Sequence, residues 1–596
     1  MTKQYPMTTR ELVDCAMGRI PADLVIHDGK WVCVQSGEIV EHTDIAVIGE
    51  RIAYVGPDAS HTIGSKTKVI QAAGKYLVPG LLDAHMHVES SMLTVTEFVR
   101  VVIPHGTTGI FIDPHEIANV FGLPGVKLMV DEAAHQFIHI GVQVPSCIPS
   151  NPGFETPGAD LGPAEVKEAL TWDSVIGLGE VMNFPGVASG DDKMLAEIGL
   201  TKQAGKVVGG HYASPDLGLL FHGYAAGGAE DDHEGTRVED AVQRVRQGMK
   251  VMMRYGSAWQ DVAQLSRAVT ERGCDPRSFL LCTDDSHSQT LFNEGHMDRV
   301  IRHAIANRLT PMQAIQMATI NTAEHFGVTK EIGMIAPGRS ADILLVPDLD
   351  DFSVEMVIVK GRTISQAGHI LIDIPEYTYP DWAIHSVHID RPLKADDFTI
   401  TTDRTGKVMV NTIGIIENQA PTRHLKFELP VMDGIINPAN EANLAKLALL
   451  DRHRGKGVVQ KGFVQGFGFQ IPCAVATTVA HDCHQMIVVG TDDNCMAMAA
   501  NKLRDCGGGQ VVIANNEVCG LVELPIGGLM SNESGQTVAR KAANILAGFK
   551  ECGCNLNNPN MQLSLLALVV IPELRISDLG LVDVTHMEII EMIERL

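Results

Sequence analysis

The spacing of apolar residues along this chain changes character three times. Between residues 22 and 76, apolar and polar positions partly alternate, as in "LVIHDGKWVCVQSGEIVEHTDIAVIGERIAYVG", with Gly and Asp at the breaks. A period of two is that of short strands. The stretch predicts a small β-unit behind a short leading helix within residues 1–20. From Pro79 the rhythm becomes one of solid apolar runs separated by helical segments. The runs are "GLLDAHMH", "GTTGIFID", "IGVQVPSCI", "VIGLGEVM", "VVGGHY", the one ending in "AGGAEDDH", "KVMMRYG" and "FLLCTDD". Helix starts are marked by Thr94 with Glu97, Thr236 with Glu239 and Thr310 with Gln313 as capping boxes, and by Pro311 at a first helical position. Repeated βα units over roughly 250 residues predict a (β/α)8 TIM-type barrel. The period-two pattern returns in "ADILLVPDLDDFSVEMVIVKGRTI", and a last segment mixes strands such as "GQVVIANN" with helices such as "SGQTVARKAANILAGFKECG". The expected fold is therefore α/β. A (β/α)8 barrel (79–331) is inserted in a small β-sandwich domain (1–78 and 332–394), and a C-terminal α/β domain (395–596) follows.

Composition narrows the function. The 596 residues are 45% hydrophobic with a net charge of −25, which argues against a nucleic-acid partner because phosphate binding needs clustered Lys and Arg. A small-molecule substrate fits better. The N-terminus lacks a signal pattern, and no apolar run approaches the roughly 18 residues of a membrane span. The 12 cysteines include no paired CxxC motifs, so reduced thiols in a cytoplasmic protein are expected.

The candidate chemistry lies at the predicted strand ends. Residues two apart in a strand share a face, so His85 and His87 project together. Alone, the pair reads more readily as two core histidines with satisfied hydrogen bonds. Yet Glu180 ends "VIGLGEVM", His211 follows "KVVGG", His233 lies in "EDDHEGT" and Asp284 follows "FLLCT". Barrel active sites form at the C-terminal ends of strands, and each of these residues falls at one. Six converging polar groups would be costly to desolvate unpaired. Four donors suffice for one ion; six, with a carboxylate able to bridge, suit two. Water on such ions is acidified toward neutral pH, so the predicted class is metal-assisted hydrolysis.

This order of residues, with the exit stretch "TINTAEHFGVTKEIGMIAPGRSADILLV", resembles the amidohydrolase superfamily. Within it, "PGLLDAHMHVESSM", "DPHEIANVFG", "GLGEVMNFPGV", "CTDDSH" and the C-terminal "GLVELPIGGLMS" are similar to the adenine deaminase family. Glu180 stands where dihydropyrimidinase-like and dihydroorotase-like members carry a bridging carboxylated lysine, a departure that favours the same family. The separate cytidine-deaminase pattern needs HxE and then PCxxC; His586 and Glu588 supply the first half and nothing supplies the second.

The resemblance implies His85, His87 and Asp284 on one ion, His211 and His233 on the other, and Glu180 between them. The ions would be Mn²⁺ or Fe²⁺, with Zn²⁺ compatible with the same donors. It implies attack of a metal-bridging hydroxide on C6 of adenine, giving hypoxanthine and ammonia in purine salvage, by a homodimer or larger homo-oligomer. Asp284 is expected to shuttle protons. Glu89 shares the face of His87 if the strand persists, and would then hydrogen-bond or protonate the ring; otherwise it is a surface carboxylate. Asp113, His115 and Glu116 are expected to touch substrate or orient ligands, with direct ligation the lesser reading of His115, and Ser286 to bind the purine edge. His481, Asp482 and His484 in "VAHDCHQM" look like a metal motif with no clear further ligands nearby, and read as structural or interface residues. Met496 and Met498 read as helix core. The competing functions are an amidohydrolase acting on another aminopurine or a cyclic amide, and a non-catalytic relative using the barrel as a scaffold.

Overall fold

In the computed structural model, which describes residues 9–438, 443–455 and 457–594, the two period-two stretches pair with each other. The strand Tyr76–Pro79 runs antiparallel to Ile343–Val346, with Val78 opposite Leu344. Through that pair, strands from residues 24–79 and 343–370 form one nine-stranded sheet. Ile26, Ile45, Val47, Leu77, Ile343 and Leu345 give it an apolar core of its own.

All the predicted apolar runs become parallel strands. Leu81–His87, Thr107–Ile112, His139–Val144, Val175–Val181 and Val207–Gly210 make a six-stranded sheet with Asp284–Asp285; Asp231–Asp232, Lys250–Arg254 and Phe279–Cys282 make a three-stranded one. The chain passes between the two sheets at Thr283, because Phe279–Cys282 ends in the second and Asp284 pairs with Met86 in the first. At the other seam, Glu230 N donates to Val208 O (2.9 Å) and Gly210 N to Asp231 Oδ1 (2.8 Å). A cluster of Leu82, Ala84, Phe111, Ile176, Val207, Met252 and Leu280 draws on both sheets, whereas Met86 packs with the larger surrounding core. A register shift between Asp83 and Met86 separates those two environments.

The helix starts hold in part. Thr310 and Gln313 make the full capping box, and Pro311 begins that helix. Thr94 caps its helix, but the Glu97 side chain turns to Arg100 and to Gly535 N. The expected Thr236 and Glu239 pair is displaced by one residue: Asp240 accepts from the Thr236 and Arg237 amides, because the helix begins at Val238.

The last segment folds around a second nine-stranded sheet, antiparallel apart from one parallel pair of neighbours. Helix Asp493–Cys506 packs Met496 and Leu503 against Ala448, Ala476 and Val488. Helix Gly535–Glu551 brings Val538, Ile545 and Phe549 to the core shared by Leu447, Val475 and Val489. Adjacent strand residues thus serve opposite faces, the period of a sheet covered on both sides. Met496 is fully buried and Met498 partly so, as expected. Among the described residues no helix is long and apolar enough to cross a membrane.

Candidate metal centre

The polar cluster forms where the parallel strands end. His87 closes its strand, and its Nδ1 hydrogen-bonds the Asp113 carbonyl (2.8 Å). Nδ1–H donates in that bond, so Nε2 is the ring nitrogen that faces the cluster. Nε2 lies 3.3 Å from Asp284 Oδ1 and 3.6 Å from Glu180 Oε1. His85 Nε2 is 3.9 Å from Asp284 Oδ1 and has no hydrogen-bond partner, while its ring stacks on His233 at 4.1 Å between centroids. Glu180 stands at the centre. One oxygen is approached by His211 Nδ1 and, at 3.1 Å, by His233 Nε2; the other lies 2.9 Å from His115 Nδ1. The six residues expected as ligands therefore converge. Donor atoms of His85, His87 and Glu180, of His85, His233 and Asp284, and of Glu180, His211 and His233 lie within 4.8 Å of one another in each trio.

The charges are set by neighbours. Burial, and then His233 and His87, hold His85 well below the ordinary histidine range, which keeps it neutral and able to ligate. Burial alone would raise Glu180, but His211, His115 and His233 outweigh it and keep the carboxylate ionised. Asp284 is likewise pushed up by burial and carried far down by His87 and Arg254. Arg254 ends the strand Lys250–Arg254; its Nη1 lies 3.1 Å from Asp284 Oδ2, and it also pairs with Glu234 and Asp261. Asp284 has a left-handed backbone (φ 57°) at the break between sheets, a conformation an Asp side chain tolerates.

The remaining candidates fall at different places around the cluster. Asp113 has the ligand-orienting one of its two expected roles. Its Oδ2 accepts from Glu180 N (2.7 Å) under Gly179, so it positions Glu180. His115 opens the helix His115–Phe121 and joins the ligand cluster with His87 and Glu116. The first strand does not persist to Glu89, which instead begins a 3₁₀ turn, Glu89–Ser91. That turn still buries the residue: one carboxyl oxygen accepts from Ile117 N (3.3 Å), the other has no partner, and burial with Glu116 pushes the group up to about 8. Glu89 and Glu116 line a cavity of about 240 Å³. Ser286 is buried but does not line it; Ser257, His287 and Thr290 do. The "VAHDCHQM" loop, between strands Cys473–Thr477 and Met486–Gly490, is not remote from other ligand types. His481 and Asp482 bring donor atoms within 4.8 Å of His115.

Comparison with known proteins bears on both halves of this cluster. The Amidohydrolase family profile matches residues 76–364, and the profile described as the adenine deaminase C-terminal domain matches residues 419–588. The sequence is 58% identical over 595 residues, all of both chains, to adenine deaminase 3 of Rhizobium meliloti (strain 1021). The chain belongs to the adenine deaminase family. An adenine deaminase of Mesorhizobium japonicum is 59% identical over 99% of this chain and 98% of its own, and one of Moorella thermoacetica 48% identical over 98% of each. Family membership thus spans the segment carrying His85 through Asp284 and the one carrying His481 and Asp482.

Proposed function

We propose that this protein hydrolyses adenine to hypoxanthine and ammonia, as a step of purine salvage. The observation that carries the reading is the convergence of His85, His87, His211, His233 and Asp284 about Glu180, in a chain 58% identical throughout to a protein named adenine deaminase. The donors suit two divalent ions. His85 Nε2 and Glu116 Oε2 are buried without hydrogen-bond partners, and His115 Nδ1 approaches Glu180 without hydrogen-bond alignment. Such atoms are costly to bury without a cation. His85, His87 and Asp284 would hold one ion, His211 and His233 the other, and Glu180 both. Mn²⁺ or Fe²⁺ is our reading, and Zn²⁺ suits the same atoms. Bound ions supply an acidified water as nucleophile.

The chain's own groups then manage orientation and protons. Asp284, ionised and tied through Oδ2 to Arg254, turns Oδ1 to the histidines; it takes the proton of the attacking water and returns it to the departing amine. Glu89, protonated at neutral pH, and Glu116, whose Oε2 is 3.7 Å from His87 Nδ1, line the cavity beside the cluster, where a carboxyl can donate to N1 of the ring. We read the two parallel sheets as arcs of one closed (β/α)8 barrel (79–331), inserted in the β-domain formed by 1–78 and 332–394, with 395–596 as the C-terminal α/β domain. We place the enzyme in the cytoplasm as a homo-oligomer; the twelve cysteines are all unpaired, which suits a reducing compartment.

The test is incubation of purified, Mn²⁺-loaded protein with adenine. One hypoxanthine and one ammonia per adenine are expected. Turnover of another aminopurine or a cyclic amide, with adenine untouched, overturns the substrate; a protein that takes up no metal and turns over none of them is a scaffold.

A further inference from the structure

The cavity beside the ligand cluster has two sides from distant parts of the chain. Glu89, Glu116, Ser257 and His287 come from the barrel segment, and from the C-terminal unit come His481, on the loop after Cys473–Thr477, and Gln510, on a strand. The C-terminal unit is hydrogen-bonded to the rim around them: Ser531 N donates to Met92 O (2.9 Å), Gly535 N to Glu97 Oε2 (2.8 Å) and Gln485 Nε2 to Thr156 O (2.9 Å). His481 is backed by Asp482, with Nδ1 3.7 Å from Asp482 Oδ1, and by the His484 ring at 5.3 Å. Its side chain keeps 13% of its exposure while lining the cavity.

An adenine in this cavity that meets Glu89 and Glu116 with its six-membered ring still has a five-membered ring to pair, and His481 lines the same cavity, with a ring nitrogen within 4.8 Å of one of His115. In the free base that ring carries an N–H and an unprotonated nitrogen; in a nucleoside, N9 carries a sugar instead. A buried N–H left unpaired is costly, and a site built to pair one rejects analogues that lack it. Imidazole offers one donor or one acceptor on each nitrogen and can meet either ring atom. The space is also small, below the roughly 300–1,000 Å³ of pockets for drug-sized ligands. We propose that His481 hydrogen-bonds the five-membered-ring edge of the purine, so that the C-terminal domain selects the free base and excludes N9-substituted purines. The proposal rests on the adenine-hydrolysing reading above.

The test uses the full-length, Mn²⁺-loaded protein and its His481→Ala and His481→Gln variants, on adenine and 9-methyladenine, with bound metal counted by elemental analysis. Wild-type turnover of adenine is measured first; its absence overturns the underlying reading, and this proposal with it. Given that turnover, His481→Ala should raise the KM for adenine roughly tenfold, with a smaller change in kcat and unchanged metal content. The ratio of kcat/KM for 9-methyladenine to that for adenine should rise roughly tenfold as well. Glutamine, which keeps a donor and an acceptor, should recover part of the lost KM. Should the alanine variant not fold, His481→Asn, too short to reach the ring, is expected to show the same KM and ratio changes. A metal-replete variant with unchanged KM and ratio overturns the proposal. Loss of a metal equivalent does so too, since His481 would then be a ligand.

Discussion

Glu180 is one carboxylate facing three imidazoles, and its amide is held by Asp113. Removing the side chain takes away the group shared by both halves of the cluster. Glu180→Ala should therefore lose at least one equivalent of metal in elemental analysis; a variant retaining two would refute the shared role. A subtler change is Gly179→Ala. A Cβ there would collide with the Asp113 carboxylate and push it off the Glu180 amide. The expected result is a kcat lower by about 10–100-fold with little change in the KM for adenine, the pattern of a disturbed ligand support. At this scale the ligands were legible because each sits where a buried strand meets the rim. Side-chain direction was not. Asp113 turns under Glu180 and away from the cavity, Glu89 reaches it through a turn, and Arg254, at a strand end like the others, was missed because its sign made it no ligand candidate.

The helix Asp192–Gln203 carries a different kind of carboxylate. Neither oxygen of Glu197 has a hydrogen-bond partner, and its nearest cation is Lys193 at 3.9 Å. Burial pushes it from the usual 4.5 up to about 8. The folded protein then binds this proton more tightly than the unfolded chain, so the residue's contribution is fullest below pH 4.5 and is lost as pH rises toward 8, at up to about 1.4 kcal/mol per pH unit. Glu197→Gln should be close to wild type in urea unfolding near pH 5 and more stable than wild type near pH 8. An unchanged difference between the two pH values would refute this. Element identities were legible where apolar runs were long and flanked by turns, and the parallel strands and both long C-terminal helices formed where expected. Cap positions were less so: Thr310 and Gln313 met the pattern, while Asp240 competed successfully with Glu239 one residue on.

For the whole molecule, a bound ion pair would tie together strand ends from both parallel sheets. Removing the ions leaves ionised Glu180 and Asp284 among buried histidines without their cations. Chelation should lower the apparent Tm by roughly 5–10 °C in thermal scans, and Mn²⁺ should restore it. An unchanged Tm after verified metal loss would argue that the cluster is held by its own hydrogen bonds. The arrangement of units was partly legible, since the returning period-two pattern foretold that the first β-unit is completed after the parallel-strand segment. The place of "VAHDCHQM" beside His115 was not, because only the tertiary packing of one sheet on the rim of the other unit brings the two stretches together.

The pairing of Val78 with Leu344 sets a timetable for synthesis. The strand Tyr76–Pro79 leaves the ribosome long before the strand that covers it, whose paired position lies 266 residues further along the chain. At about 5–20 residues per second, that neighbour arrives roughly 13–50 seconds later. Until then one side of Tyr76–Pro79 is an unsatisfied edge, open to pairing with other nascent chains. Slower translation across the intervening segment would lengthen that exposure, so aggregation in overexpressing cells should depend on elongation rate as well as on the stability of the finished fold.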